Sequence, residues 1–146
     1  MDYDKYLNKL KKFDKSQRSS FSYWYNHWLA YNLVAMKLGV WKPKWLLHDI
    51  EKPWLKLIWG DYKRVQKWHK YHNKHHIFSG RRYGLNKVDW LASLIDWECS
   101  RYTKNAAPLT AREEVDNLLS QSEKYTYDER EEIKKNCYPI LDYLGI

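Results

Sequence analysis

The chain has 146 residues, a length that suits one domain, and its 44% hydrophobic and 17% aromatic content excludes wholesale disorder. With only five glycines and four prolines, the composition favours helices over a strand-and-turn fold. The net charge of +8 is uneven: residues 1–80 hold 16 Lys and Arg against 6 Asp and Glu, and residues 81–146 hold 10 against 12. A basic half suits a phosphate-bearing small molecule or a nucleic acid, and equally a charged surface that keeps an aromatic chain dispersed.

The first half of the chain predicts four helices. Apolar residues three and four apart predict an amphipathic helix over 2–15. A second helix is predicted over 20–38, where Gly39 would cap it. Pro43 fits the first turn of a short helix over 43–50. A long helix is then predicted from residue 54 or 61 to about residue 78.

The second half predicts three further helices. Asn86 can cap a helix over 87–101. Thr110 with Glu113, and Thr126 with Glu129, have the spacing of capping boxes and would begin the last two helices. The chain is therefore predicted to form an all-α helical bundle with a single domain over residues 1–146.

Residues 19–36 carry no formal charge over 18 positions. The stretch is barely long enough to span a bilayer and contains Asn26, His27 and Asn32, so it predicts a buried helix, and no membrane partner is expected. The charged beginning of the chain does not resemble a signal peptide. Cys99 and Cys137 lack metal-ligand spacing and indicate reduced thiols, so we expect a cytoplasmic protein.

Four polar residues lie in strongly apolar surroundings: His27, the adjacent pair His48 and Asp49, and Asp96. An isolated charge in such a place costs several kcal/mol, or the group changes its pKa until it is neutral. A shared divalent cation removes that cost, because it gives carboxylates and imidazoles a common partner. Nitrogen and oxygen donors suit Mn, Fe, Co, Ni, Zn or Mg. Each residue alone also has a structural interpretation, such as a hydrogen-bonded core histidine for His27, but the ordered set favours a metal site.

The order His27, then His48-Asp49, then Asp96 resembles the HD-domain superfamily of metal-dependent phosphohydrolases. The resemblance implies an all-α bundle and a divalent metal ion held by these four residues. "HDIEK" at 48–52 is also similar to the "HDIGK" of the HD-GYP branch, which implies that Lys52 contacts the substrate phosphate. No GYP triplet is present, so hydrolysis of cyclic di-GMP is not implied.

A second resemblance covers most of residues 27–115, with the HD-like core at about 20–115. "HNKHH" after "HDIEK", an aspartate in "IDWECSRYTK", and then "PLTAREE" look like a small HD-like family of uncharacterised phage and bacterial proteins. It is the closer of the two resemblances, and it implies a fold but no activity.

The segment "HNKHH" holds three of the six histidines. In a helix that continues to residue 78, His69, His72 and His76 fall on one face, whereas His75 points about 100° away from His76. We therefore expect His72 and His76 to face the HD pair, with His69 at the rim and His75 pointing away. His72 and His76 would hold a second metal ion or donate hydrogen bonds to the substrate phosphate. The other interpretation is a basic solvated face, because lysines are interspersed.

The expected function is a metal-dependent phosphohydrolase that acts on a nucleotide or related phosphate ester. Lys52 would stabilise charge on the phosphate, Glu51 is a candidate for proton transfer, and the loop residues Arg81 and Arg82 are candidates for a phosphate clamp. The alternatives are an HD-like pseudoenzyme that binds nucleotide or nucleic acid without hydrolysis, a helical protein without a ligand, and an oxygenase with two irons.

Overall fold

The computed structural model describes residues 1–77, 84–106 and 109–146. Within these ranges it contains seven α-helices and no β-strand, which confirms the all-α fold class. The helices are, in chain order, α1 (Tyr3–Leu7), α2 (Phe21–Lys37), α3 (Glu51–Trp59), α4 (Tyr62–His72), α5 (Lys87–Thr103), α6 (Ala111–Leu119) and α7 (Tyr127–Leu144). Two short 3-10 helices, Lys15–Gln17 and Pro43–Leu47, lie before α2 and α3.

The first helix is shorter than the predicted 2–15, because the chain leaves the helical path after Leu7 and pairs with the end of α5. The backbone N–H of Phe13 donates to the carbonyl of Thr103 at 2.8 Å, and that of Asn105 donates to the carbonyl of Phe13 at 3.1 Å. The Phe13 side chain is buried there. The apolar spacing of residues 2–15 therefore serves two different local structures.

Helices α2 and α5 form the centre of the fold. The predicted helix over 20–38 is confirmed: Ser20 caps α2, and Gly39 follows its end with a φ of 72°. Tyr31 and Val34 of α2 pack in one buried cluster with Ile95 of α5. Among the described residues, none of the helices combines the length and the hydropathy that a membrane span needs.

Of the two predicted starts of the long helix, 54 and 61, the second agrees with α4, and a break separates α4 from α3. Gly60, with a φ of 68°, ends α3, and Asp61 caps α4 through its side chain. Helix α4 ends at His72, because Asn73 adopts an extended conformation. The predicted extension to residue 78 is therefore wrong, and the break changes where the last histidines point.

Helices α5, α6 and α7 begin where the capping residues predicted. The side chains of Asn86, Thr110 and Thr126 accept hydrogen bonds from the backbone N–H groups three residues ahead, at 3.0, 3.2 and 3.2 Å. A second buried cluster joins the three helices and includes Leu94 and Ile133. These caps fix the start of α5, the helix that carries Asp96.

Candidate metal centre

The structure brings together the four residues that the sequence singled out as metal ligands. His27 comes from α2, His48 and Asp49 from the turn after Pro43–Leu47, and Asp96 from α5. His27 Nε2 lies 2.8 Å from Asp96 Oδ1, and His48 Nε2 lies 3.4 Å from both atoms. Asp49 Oδ1 is 3.6 Å from His48 Nε2. His27, His48 and Asp49 are buried in the described chain.

The backbone of Asp49 explains how two adjacent residues face one space. Neighbouring side chains on a regular helix point about 100° apart. Among the described residues, Asp49 is the one non-glycine residue with a positive φ, at 55°, a left-handed conformation that costs about 1–3 kcal/mol for most residues. The turn lets His48 and Asp49 converge. Trp24 of α2 holds it, since its Nε1 donates to the Asp49 carbonyl at 2.8 Å.

A second group of imidazoles lies on the other side of Asp49. Ligand nitrogens of His69, His75 and His76 lie within 4.8 Å of one another. Asp49 Oδ1 is 3.0 Å from His69 Nε2 and 3.3 Å from His75 Nε2. His48, Asp49 and His75 also satisfy the 4.8 Å limit, so the two groups adjoin through the Asp49 carboxylate.

The expected orientation of the histidine segment is wrong at three positions. His69 is fully buried at the centre and not at the rim, and His75 faces Asp49 and does not point away. His72 stacks on Trp68, with ring centroids 4.2 Å apart, and its Nδ1 donates to the Trp68 carbonyl. For His72 and His75 the reason is that α4 ends at His72, so helical spacing does not relate His72 to His75 and His76. Within α4, His69 is the histidine on the face towards Asp49.

The turn after α4 is held by polar contacts. The backbone N–H and the side-chain Nδ2 of Asn73 both donate to the carbonyl of His69 at 3.0 Å. Ser93 of α5 donates from Oγ to the carbonyl of His75 at 2.6 Å. These contacts fix the chain where it returns towards Asp49. Sequence reasoning missed Asn73, although an asparagine after a helical run is a recognised stop signal.

Several buried polar atoms at this centre lack a hydrogen-bond partner within the described residues: Asp49 Oδ1, His69 Nε2, His75 Nε2 and His76 Nε2. Asp49 Oδ1 lies 3.0 Å from His69 Nε2 and 3.3 Å from His75 Nε2, but neither contact has hydrogen-bond geometry. Each unsatisfied buried group costs about 1–3 kcal/mol. Metal–ligand bonds of about 2.0–2.2 Å place adjacent ligand atoms roughly 3.0–3.5 Å apart. The separations at Asp49 and Asp96 run from 2.8 to 3.6 Å, close to that spacing, so these residues can hold a divalent metal ion.

The electrostatics keep the carboxylates charged. Burial raises the pKa of Asp49, but the neighbouring His48, Lys52 and His69 outweigh it, so the pKa is well below its ordinary value. Burial likewise raises the pKa of Asp96, and hydrogen bonds from His27 and His48 bring it well below the ordinary value.

Two of the imidazoles are held neutral. Burial lowers the pKa of His48 to about 4. Burial, followed by the charge of His75, lowers the pKa of His76 to about 2. Neutral imidazole is the form that binds metal ions, so both rings are ready to act as ligands at neutral pH.

Glu51 lies behind His69 and not between the two groups. His69 Nδ1 donates to Glu51 Oε1, and Asn73 Nδ2 donates to the same oxygen at 2.9 Å. A carboxylate in this position fixes the tautomer of a metal-binding histidine and leaves Nε2 free as the ligand. Its position therefore supports an orienting role for Glu51, whereas the proton transfer suggested by the sequence has no support in this geometry.

Lys52 lies at the edge of the centre. Its Nζ donates to Asp49 Oδ2 at 2.6 Å. Burial lowers the pKa of Lys52, but Asp49 outweighs that effect, and the net pKa is raised. The ammonium group is therefore charged beside the candidate ligands. Arg81 and Arg82, the candidates for a phosphate clamp, lie outside the described residues.

Comparison of the chain with protein-family models, with curated proteins and with solved structures found no match.

Proposed function

We propose that the chain is an HD-domain-like, metal-dependent phosphohydrolase that acts on a nucleotide or related phosphate ester. The observation that carries the proposal is the Asp49 carboxylate. It lies between two groups of imidazole nitrogens, with several of the surrounding polar atoms buried and unsatisfied within the described residues. A cluster of this composition is suited to divalent metal ions.

A divalent ion bound there would polarise a phosphoryl oxygen and lower the pKa of a bound water molecule. The chain's own residues supply the rest. Lys52 keeps its positive charge next to Asp49 and is positioned to stabilise negative charge on a phosphate. Glu51 and Asn73 hold His69 in one tautomer.

The number of donors supports two adjacent ligand groups. His27, His48 and Asp96 form one group, and His69, His75 and His76 form the other. A carboxylate shared between such groups is an arrangement that suits phosphoryl transfer, since two ions can act on the attacking and leaving oxygens. The sequence suggested His72 with His76 for the second site, and the geometry favours His75 in place of His72.

The proposal is tested by removing metal with a chelator, adding back single divalent ions, and assaying a panel of phosphate esters. The panel includes nucleoside mono-, di- and triphosphates, cyclic dinucleotides and aryl phosphates. We expect hydrolysis that is lost on chelation, restored by one or more ions, and abolished in His48→Gln but retained in His72→Gln.

Each other outcome has a defined meaning. Hydrolysis that survives both chelation and His48→Gln would exclude the cluster as the catalyst. Metal and nucleotide binding without turnover would replace the proposal with the pseudoenzyme. Substrate turnover that consumes oxygen would replace it with an oxygenase.

A further inference from the structure

A cavity of about 730 Å³ adjoins the candidate metal centre. His27, Asp49 and Lys52 line it on the side of the centre. Its volume is in the range of sites that take ligands the size of a drug or nucleotide, and far exceeds the need of inorganic phosphate. The cavity is therefore large enough to take the whole organic part of a phosphate ester.

The walls of this cavity are mainly aromatic and aliphatic. The lining includes Phe21, Trp24, Trp54, Leu57 and Tyr62. Three of these, Phe21, Trp54 and Leu57, are more than 60% exposed, so apolar side chains also surround the opening. Apolar surface that remains exposed beside a site favours an apolar ligand, because burying it contributes about 25 cal/mol per Å².

Most of the polar groups in the lining already have partners within the protein. Ser20 Oγ accepts from the Tyr23 backbone and donates to the Gln17 carbonyl. Lys56 Nζ donates to the carbonyl of Ser19. A ligand rich in hydroxyl groups would therefore lose hydrogen bonds to water and gain few in return. This argues against a ribose-containing ligand and for an apolar one.

Tyr62 follows the same pattern, since its hydroxyl accepts from Gln66 Nε2 at 2.7 Å. Its aromatic ring lines the cavity and can pack against a ligand.

Arg18 brings a positive charge to this lining. Its Nε is buried and lacks a hydrogen-bond partner within the described residues. Arg18 lines the same cavity as Lys52 and Lys56, so three cations border this space. Guanidinium groups bind phosphate through parallel N–H donors. The guanidinium group of Arg18, at the wall of this cavity, is thus suited to the anionic end of a ligand.

We propose that this cavity binds a phosphate ester with a large aryl or alkyl group, and that Arg18 with Lys52 binds its phosphate. This substrate class rests on the proposed function, because the phosphate must reach the metal centre. The apolar group lies against the aromatic wall, and the phosphate lies at the end lined by Lys52 and Asp49. Nucleotides, with their polar sugars, bind less well.

The test is calorimetric titration of the metal-loaded protein with phosphonates, which resist hydrolysis. Methylphosphonate, octylphosphonate, naphthylmethylphosphonate and a nucleoside phosphonate are compared. We expect the octyl or the naphthylmethyl compound to bind at least about tenfold more tightly than methylphosphonate and than the nucleoside compound. The two apolar compounds distinguish an alkyl from an aryl substrate.

Two pairs of variants locate the binding. Leu57→Asp should lower the affinity for the apolar phosphonate about tenfold and leave that for methylphosphonate unchanged, whereas Ile58→Asp, on the exposed neighbouring residue, should change neither. Arg18→Gln should weaken all the phosphonates, whereas Lys15→Gln, on an exposed residue, should not. All four sites are at or near the surface, so the variants should fold.

Equal affinity for methyl and apolar phosphonates would overturn the inference, as would equal effects of Leu57→Asp and Ile58→Asp. The failure of the proposed function looks different. Tight apolar phosphonate binding without hydrolysis of any ester would leave the cavity assignment intact and remove the phosphohydrolase. Metal-dependent hydrolysis of nucleotides, with no preference for apolar phosphonates, would support the phosphohydrolase and remove the cavity assignment.

Discussion

The two carboxylate oxygens of Asp49 have different neighbours. Oδ2 accepts a hydrogen bond from Lys52 Nζ at 2.6 Å and lies 4.0 Å from His27 Nε2. Oδ1 lies 3.0 Å from His69 Nε2 and 3.3 Å from His75 Nε2. One side chain thus connects both groups of candidate ligands, so its loss should affect both.

We expect Asp49→Asn to abolish tight metal binding at both groups, because the amide removes the negative charge and one oxygen ligand. Metal content after gel filtration measures this, and circular dichroism checks that the helices remain. Asp142→Asn, an exposed residue paired with Arg112, is the control. Full metal content in Asp49→Asn would contradict the assignment.

His69 and His72 are one helical turn apart on α4 but have different surroundings. His69 is fully buried against Asp49 and Glu51, whereas His72 stacks on Trp68. We expect His69→Gln to lower the metal content by about half or more, and His72→Gln to leave it unchanged. Equal metal loss in both variants, or loss only in His72→Gln, would mean that the ligand set is wrong.

Glu51 should act through His69. We expect Glu51→Gln to weaken metal affinity by about 10–100-fold, as is usual when the carboxylate behind a metal-binding histidine is removed. Competition with a metal-binding dye measures the affinity. Glu131→Gln, on a partly exposed surface pair with Lys134, is the matched control. If turnover fell while metal affinity stayed constant, Glu51 would be a proton-transfer residue after all.

The sequence alone identified four candidate metal ligands, because polar residues in apolar stretches need a partner. They are His27, His48, Asp49 and Asp96. The sequence did not indicate which histidines of "HNKHH" turn inward. That depends on where α4 ends, and helix ends follow from local contacts such as the Asn73 side chain bonding the His69 carbonyl. The prediction extended the helical spacing beyond the end of α4, and it therefore assigned to His72 the position that His75 occupies.

The end of α4 is the element on which the second group of ligands depends. Asn73 stops the helix, and His75 and His76 then fold back towards Asp49. We expect Asn73→Ala to weaken metal binding at this group, because the backbone loses a stop signal and Glu51 loses a donor. Metal stoichiometry measures this.

Asn136→Ala is the control for the Asn73 variant, because the Asn136 side chain also donates to a carbonyl four residues earlier, at 2.8 Å, but lies on α7. Metal binding that is the same in the two variants would show that the turn does not organise the site.

The helices capped by Asn86, Thr110 and Thr126, and the end of α2 before Gly39, were predictable as elements, whereas the start of α4 after Gly60 was predicted only as residue 54 or 61. Asn86, Thr110 and Thr126 each accept the predicted backbone hydrogen bond. The amphipathic spacing of residues 2–15 was a poorer guide, since Phe13 bonds to the backbone at the end of α5, a contact between residues far apart in sequence. Periodicity describes one face of a helix and carries no information about such contacts.

Across the whole molecule, the buried histidines couple stability to pH. The pKa of His48 is lowered to about 4 and that of His76 to about 2, below the ordinary value of about 6.5. As the pH falls through about 6.5, these two histidines take up protons in the unfolded chain but stay neutral in the folded chain. The free energy of unfolding therefore falls as the pH falls. For His69, burial lowers the pKa but Asp49 and Glu51 outweigh it, so its raised pKa favours folding as the pH falls.

Because each lowered group removes about 2 kcal/mol between pH 7.5 and pH 5 and His69 offsets only part of the sum, we expect the metal-free protein to lose more than about 2 kcal/mol of unfolding free energy over this interval. Urea unfolding at both pH values measures this. The loss should be smaller in His76→Gln and unchanged in His72→Gln. Equal or greater stability at pH 5 would contradict this account of the buried imidazoles.

The buried His and Asp side chains around Asp49 form a candidate metal centre. Anomalous diffraction, recorded at the absorption edge of the metal that co-purifies or reconstitutes, shows whether metal binds there. We expect anomalous density within about 2.0–2.3 Å of His27 Nε2, His48 Nε2 and Asp96 Oδ1, with further density between Asp49 Oδ1 and His69 Nε2. A folded protein that, in a metal-supplemented crystal, shows no anomalous density at either place would contradict the proposed metal centre.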